Sequence, residues 1–177
     1  IGITSKGIDN KSLLCLSDVV KMNISTDLIA VISGCTFASD MVRKSVLGIN
    51  VASKSLDALN VISSILENDY LSVYKTSDVI GTEICGAIKN IMAIGNGIIN
   101  GMGFSESSSA MFITLATREI TDLIKCLGGE VNTIFSFAGI GDLILTCNSK
   151  ESRNFTLGNM MGKKFNIKDY IENTTIE

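Results

Sequence analysis

The period of the hydrophobic pattern changes once along this chain, close to Ser77, and that change limits the fold more than any single residue. Before it, short β-branched runs alternate with amphipathic stretches. Residues 1–4, 28–32, 45–52 and 71–74 read as strands, and residues 10–22, 36–44 and 56–66 as helices. After it, the pattern is helical throughout. Residues 78–101 and 105–127 read as long helices, and 130–138, 142–147, 152–161 and 167–172 as shorter ones. Ser105 makes a fair N-cap and Gly128 a fair C-cap. The chain is therefore expected to be α/β over 1–77 and all-α over 78–177. With no linker or repeat between the two parts, they should pack directly on each other. Small residues close the first two longer strands, as in Ser33-Gly34, where α/β sheets place ligands.

Composition narrows the chemistry. Among 177 residues there is no histidine, no proline and no tryptophan. Average usage predicts roughly nine prolines at this length. Without histidine there is no Ser-His or Cys-His nucleophile and no imidazole proton shuttle. Acid–base work falls to Lys, Asp, Glu, Cys or Tyr. A net charge of −3 and a pI near 5.0 argue against nucleic acid as a partner. The five cysteines have no C-x-x-C pair, so reduced thiols in a cytoplasmic protein are expected, with no disulfide framework and no metal site. The chain begins with Ile in an apolar run and reads as a piece of something longer.

Residues 84–104 are apolar enough to be taken for a membrane span. Lys89, Asn90, Asn96, Asn100 and several glycines inside this stretch favour the central helix of a soluble core instead. At about 100° per residue, Asn96 and Asn100 fall within about 20° of Lys89, forming a narrow polar stripe. A buried ammonium is either paired or lowered in pKa, so Lys89 is a candidate general base. A snorkelling lysine, or one bridged to a core carboxylate, fits the pattern equally well.

Two further segments carry polar groups at predicted helix starts. In Gly139-Ile140-Gly141-Asp142-Leu143, Asp142 is read first as an N-cap and second as an acceptor facing Lys89. In residues 146–154, hydroxyls and Arg153 precede a helix, which suits a phosphate or carboxylate, although an ordinary capped loop is the simpler reading. Arg118 and Asp122, four apart on a helix, suggest a solvated pair.

Four blocks, in order, resemble the bacterial NAD(P)-dependent glycerol-3-phosphate dehydrogenases. Thr4-Ser5-Lys6-Gly7 resembles the family's T-K-G turn, and Ser33-Gly34-Cys35-Thr36-Phe37-Ala38 its S-G-P-S-F-A block. Gly86-Ala87-Ile88-Lys89-Asn90 resembles its G-A-x-K-N helix. Residues 138–143, with Thr146-Cys147 and Ser152-Arg153-Asn154, resemble its G-x-G-D-L…T-C…S-R-N segment. Cys35 replaces the family's proline and removes a fixed φ, while Thr36 keeps its hydroxyl.

The resemblance implies a fold and a set of roles. Residues 1–77 would be the end of a Rossmann-like dinucleotide-binding domain, without the glycine-rich turn. Residues 78–177 would be most of a helical substrate-binding domain. The reaction implied interconverts sn-glycerol 3-phosphate and dihydroxyacetone phosphate with NAD or NADP, for glycerophospholipid synthesis. Lys89 would be the base. Lys6, Gly34, Thr36, Asn90, Asp142, Thr146, Ser152, Arg153 and Asn154 would join it around the substrate. Lys6, Ala38, Arg153 and Glu177 would lie near the cofactor. The 177-residue chain alone is expected to be inactive. NAD against NADP stays open, as does oligomeric state, a homodimer included. Two other readings stand beside this one: a non-catalytic helical remnant, and a dehydrogenase of another hydroxy acid.

Overall fold

The structure, a computed structural model, describes residues 1–173, so Glu177 lies outside the described residues. Strands β1 (Gly2–Ile3), β2 (Ala30–Gly34), β3 (Leu47–Ala52) and β4 (Leu71–Thr76) form one sheet in chain order. β1 and β2 are parallel, β2 and β3 antiparallel, and β3 and β4 parallel. Helices α1 (Leu16–Asn23), α2 (Ala38–Val42) and α3 (Leu56–Leu66) connect them.

The antiparallel step follows from the length of α2. Five helical residues span about 8 Å, too short to carry the chain back along a strand about 17 Å long. β3 therefore starts at the edge where β2 ends. The carboxyl ends of β1 and β2 share that edge and carry Lys6 and Thr36.

Both faces of the sheet are covered. Ile3, Ile29, Val31 and Ala52 pack with Val79, Leu16 and Val20 on one side. Ala30 and Val51 pack with Ala58, Leu59 and Ile62 of α3 on the other. Helix α3 covers the expected residues because Ser55 caps it, its hydroxyl accepting from Ala58 N at 3.3 Å. Two expected helices are shorter than their patterns. The first starts at Leu16 rather than residue 10, because the Asp9 carboxylate takes the N–H groups of Lys11 and Ser12 into a turn. The second is only Ala38–Val42 within the expected 36–44.

From Val79 onward the structure is helical. α4 (Val79–Gly101) and α5 (Glu106–Cys126) are followed by a 3₁₀ turn (Val131–Phe135) and a kinked turn (Phe137–Gly141). α6 (Asp142–Asn148), α7 (Arg153–Gly162) and α8 (Lys168–Asn173) complete the described chain. The single helix expected over 130–138 is thus broken in two. Ser136 at φ −94° and ψ 177° interrupts it, and Gly139 at φ −87° and ψ −111° kinks the turn that follows.

α4 is the central helix. Ile84, Cys85, Met92 and Ala93 bury against Ala116, Ile120 and Ile124 of α5, Leu143 and Cys147 of α6, and Phe155 of α7. Its start is fixed by Asp78, which is 3% exposed. One carboxylate oxygen caps Gly81 N, and the other accepts from Glu130 N and the Thr133 hydroxyl. Helix α7 crosses α4 almost at van der Waals contact of the main chains. A Cβ on Gly97 would lie 2.2 Å from the Phe155 carbonyl oxygen, and one on Gly158 would lie 2.1 Å from that of Ile94. The glycines within α4 thus permit helix packing, and none of the described helices is long and apolar enough to cross a membrane.

Candidate active site

Lys89 projects from the middle of α4, where it is 8% exposed. Its Nζ donates to Asp142 Oδ1 at 2.8 Å and to Thr146 Oγ1 at 2.9 Å. The Thr146 hydroxyl donates in turn to Asp142 Oδ1 at 3.1 Å. Asp142 and Thr146 are one turn apart on α6, so a single helix presents both partners to the ammonium. Lys6, from the end of β1, donates to the other oxygen of Asp142 at 2.5 Å. Two cations from two parts of the chain therefore share one carboxylate that is 1% exposed.

Burial is the strongest influence on Lys89 and lowers its pKa below the usual lysine value. Asp142 favours the charged form and opposes that fall, while the neighbouring charge of Lys6 adds to it. The net direction is down, so the neutral amine becomes more accessible than in an ordinary lysine. The alternatives for Lys89 therefore meet in one residue. It is bridged to a core carboxylate, and it also opens on a cleft.

The Asp142 cap expected first from spacing does not form. Asp142 is the first residue of α6, the N-cap position belongs to Gly141, and no side chain caps the helix. The kink at Gly139 turns the main chain so that this carboxylate points at the lysines. Gly139 itself is required there, because a Cβ would fall 2.2 Å from the Ile134 carbonyl oxygen.

The cleft has a volume of about 390 Å³ and lies between the carboxyl edge of β1 and β2 and the start of α7. The α/β side contributes Lys6, Thr36 and Ala38, and α4 contributes Lys89 and Asn90. Thr146, Ser152, Arg153 and Asn154 line the opposite wall. Ser152 caps α7, its hydroxyl accepting from Phe155 N at 3.2 Å. This sets Arg153 and Asn154 in the first turn, where main-chain N–H groups favour anions. Asn154 is 5% exposed, yet its Oδ1 has no protein partner. An orphaned acceptor beside the cleft calls for a hydroxyl or N–H donor from a ligand.

Two residues of the expected set stand elsewhere. Asp142 sits behind Lys89, Lys6 and Thr146 and reaches the cleft through them. Gly34 is set by strand packing, since a Cβ would come 2.7 Å from Ile49 Cα. Thr4, Ser5, Phe37 and Glu151 also line the cleft. Thr4, Ser5 and Phe37 belong to the blocks that carry the resemblance and Glu151 to the polar segment 146–154, but none of the four has a side-chain signal that marks it as a site residue. Glu151 accepts from the Ser39 hydroxyl at 2.9 Å, linking the α7 side to α2 across the mouth. Away from the cleft, Arg118 and Asp122 do not form the expected ion pair. An exposed i, i+3 pair, Lys21–Asp18, forms on α1 at 3.8 Å. The buried thiols of Cys85 and Cys147 are pushed up to about 12 by burial and are poor nucleophiles.

A sheet docked on a helical unit, with a carboxylate-held lysine in the cleft at their seam, defines a two-part α/β and helical ligand-binding architecture. The structure of the Coxiella burnetii glycerol-3-phosphate dehydrogenase has this architecture, with a TM-score of 0.93 and 31% identity. That match covers 99% of this chain and 55% of the other. The family described as NAD-dependent glycerol-3-phosphate dehydrogenase C-terminus matches residues 78–177, and the corresponding N-terminus matches residues 1–59. The chain belongs to the NAD-dependent glycerol-3-phosphate dehydrogenase family. Relatives named glycerol-3-phosphate dehydrogenase [NAD(P)+] include one from Bacillus subtilis, 36% identical over 95% of this chain and 50% of its own length. Another, from Staphylococcus epidermidis, is 38% identical over 90% of this chain and 49% of its own. The chain thus spans about half the length of the curated relatives it matches.

Proposed function

We propose that this chain forms the substrate side of an oxidoreductase interconverting sn-glycerol 3-phosphate and dihydroxyacetone phosphate. The observation that carries this reading is Lys89, buried at the cleft, lowered in pKa and held by Asp142 and Thr146. In the oxidising direction the neutral amine takes the proton of the C2 hydroxyl. In the reducing direction the ammonium returns it to the C2 oxygen. Asp142 and Thr146 fix the direction of the Nζ lone pair and stabilise the ammonium once formed. Lys6 and Arg153 supply positive charge for the phosphate, and the first turn of α7 adds main-chain donors. The orphaned Asn154 Oδ1 accepts from a substrate hydroxyl.

The cofactor is NAD or NADP, as the names of the relatives suggest for this chain. A cleft of about 390 Å³ lies in the usual range for small-molecule sites, and its polar wall with one unpaired acceptor fits the substrate beside a nicotinamide. When bound, the nicotinamide supplies the hydride acceptor and donor. Ala38, Lys6 and Arg153 would hold it, with Glu177 as the fourth candidate. The product serves glycerophospholipid synthesis. Free thiols at all five cysteines support a cytoplasmic setting, and a homodimer is the proposed assembly.

The test follows oxidation of NADH and NADPH by the full-length protein that carries this chain. Turnover is expected with dihydroxyacetone phosphate and not with dihydroxyacetone. Equal turnover of the two, or a preference for an unphosphorylated hydroxy acid, would overturn the reading.

A further inference from the structure

Asn50 lies in the middle of β3, in the run Leu-Gly-Ile-Asn-Val-Ala, and is fully buried. A buried amide in an apolar strand is costly unless both of its ends are bonded. Here both are. Nδ2 donates to Ser136 Oγ at 2.8 Å, and Oδ1 accepts from Ala138 N at 3.2 Å. The Ser136 hydroxyl donates in turn to the Thr133 carbonyl at 2.7 Å. Two residues away on the same face of β3, Gly48 leaves room for the Phe137 ring, which a Cβ would meet at 2.5 Å. The strand therefore grips three consecutive residues of the helical unit, 136–138, by a ring contact and two hydrogen bonds.

Those residues lead straight into the kink at Gly139 and then to Asp142. Gly139 N and Gly141 N both point back to the Ser136 carbonyl, at 3.2 and 3.4 Å. The orientation of the Asp142 carboxylate thus depends on how residues 136–138 are anchored, and Asn50 is their polar anchor on the sheet. We infer that Asn50 is a positioning residue for the Lys89–Asp142 pair, acting through the main chain of residues 136–138. It touches neither the substrate nor Lys89. The inference rests on the proposed role of Lys89, but its test reads no turnover.

The readout is the titration midpoint of the Lys89 ammonium, followed by NMR of its side chain in the full-length protein that carries this chain and assigned with Lys89→Arg. The charged groups facing Lys89 are Asp142 and Lys6, with the Cys147 thiol nearby. In Asn50→Ala, Asp142 no longer holds its position and the ammonium loses its carboxylate. Its midpoint is expected to fall by about one pH unit. In an Asp142→Asn background the same substitution should produce no further shift. Ser136→Ala, which keeps Asn50 itself, should shift the midpoint in the same direction by a smaller amount, and it decides the matter if Asn50→Ala does not fold. A folded Asn50→Ala or Ser136→Ala chain with an unchanged midpoint would show that the contact is only structural and overturn the inference. So would a shift that persists without Asp142. Loss of turnover in the full-length enzyme bears on the function of Lys89, whereas this titration bears on Asn50 alone.

Discussion

Lys6 and Lys89 hold opposite oxygens of one buried carboxylate, Asp142, at 2.5 and 2.8 Å. Lys6 comes from the end of β1 and Lys89 from the centre of α4, so the pair also joins the sheet to the helical unit. Asp142→Asn removes the negative charge and leaves two cations facing a neutral amide. Breaking a buried ion pair from one side typically costs about 3–5 kcal/mol. Because Lys6 is half-buried and can swing outward, about 3 kcal/mol is expected here, read as a lower midpoint in urea unfolding.

Lys89 and Glu83 give stability opposite pH slopes. The pKa of Lys89 is lowered in the folded chain by burial, below the usual 10.5. Between its folded value and 10.5 the unfolded chain binds more protons, so stability rises with pH across that window. Glu83 is 7% exposed and accepts from Ser17 N and the Ser17 hydroxyl at the start of α1. Burial raises its pKa above the usual 4.5. Between 4.5 and its folded value the folded chain binds more protons, so stability falls as pH rises through that range. Glu83→Gln should flatten the acid slope and leave the alkaline one, as measured by unfolding midpoints across pH.

Gly97 and Gly158 let α4 and α7 touch through their main chains. In Gly158→Ala the new methyl meets the Ile94 carbonyl, so α7 must move away. Alanine gains about 1 kcal/mol of helix propensity, which offsets only part of the overpacking. A net loss of about 1–3 kcal/mol is expected in thermal unfolding. Since α7 carries Arg153 and Asn154, binding of glycerol 3-phosphate should weaken with it.

Asp78→Ala removes the cap of α4 and two bonds to the segment after α5. Glu130 N and the Thr133 hydroxyl lose their acceptor while partly or fully buried. The expected cost is about 2–4 kcal/mol. Circular dichroism during denaturation checks it, and Asp78→Asn should recover part of the loss by retaining one acceptor.

Local signals located most of the elements. α3 has the expected residues, and α4 begins one residue after the expected start. Ser105 is the N-cap that its place before a helical pattern predicts, and Ser55, Asp78 and Ser152 cap their helices in the same way. What local signals missed depends on distant partners. The segment 130–138 has helical periodicity, but Asp78 takes Glu130 N and Thr133, and β3 takes residues 136 and 138. These long-range bonds hold the kink at Gly139, and the kink turns Asp142 from an expected cap into the partner of two lysines. The polar stripe on α4 was legible, but its members separate in function. Asn96 bonds the Cys147 carbonyl and the Ser109 hydroxyl, Asn100 bonds Asn159, and Lys89 alone reaches the cleft. Asn50 could have been singled out as a lone amide in a β-branched run, though nothing nearby in sequence names its partner.

The most direct measurement is turnover of the full-length protein with Lys89→Ala. General acid–base groups usually contribute about 100-fold to 10,000-fold. The rate of dihydroxyacetone phosphate reduction should fall by that order while NAD(P)H binding stays near the parent value and the protein stays folded, with a lower unfolding midpoint because Asp142 loses one of its two cations. A folded Lys89→Ala protein that turns over at close to the parent rate would contradict the assignment of Lys89 as the proton carrier.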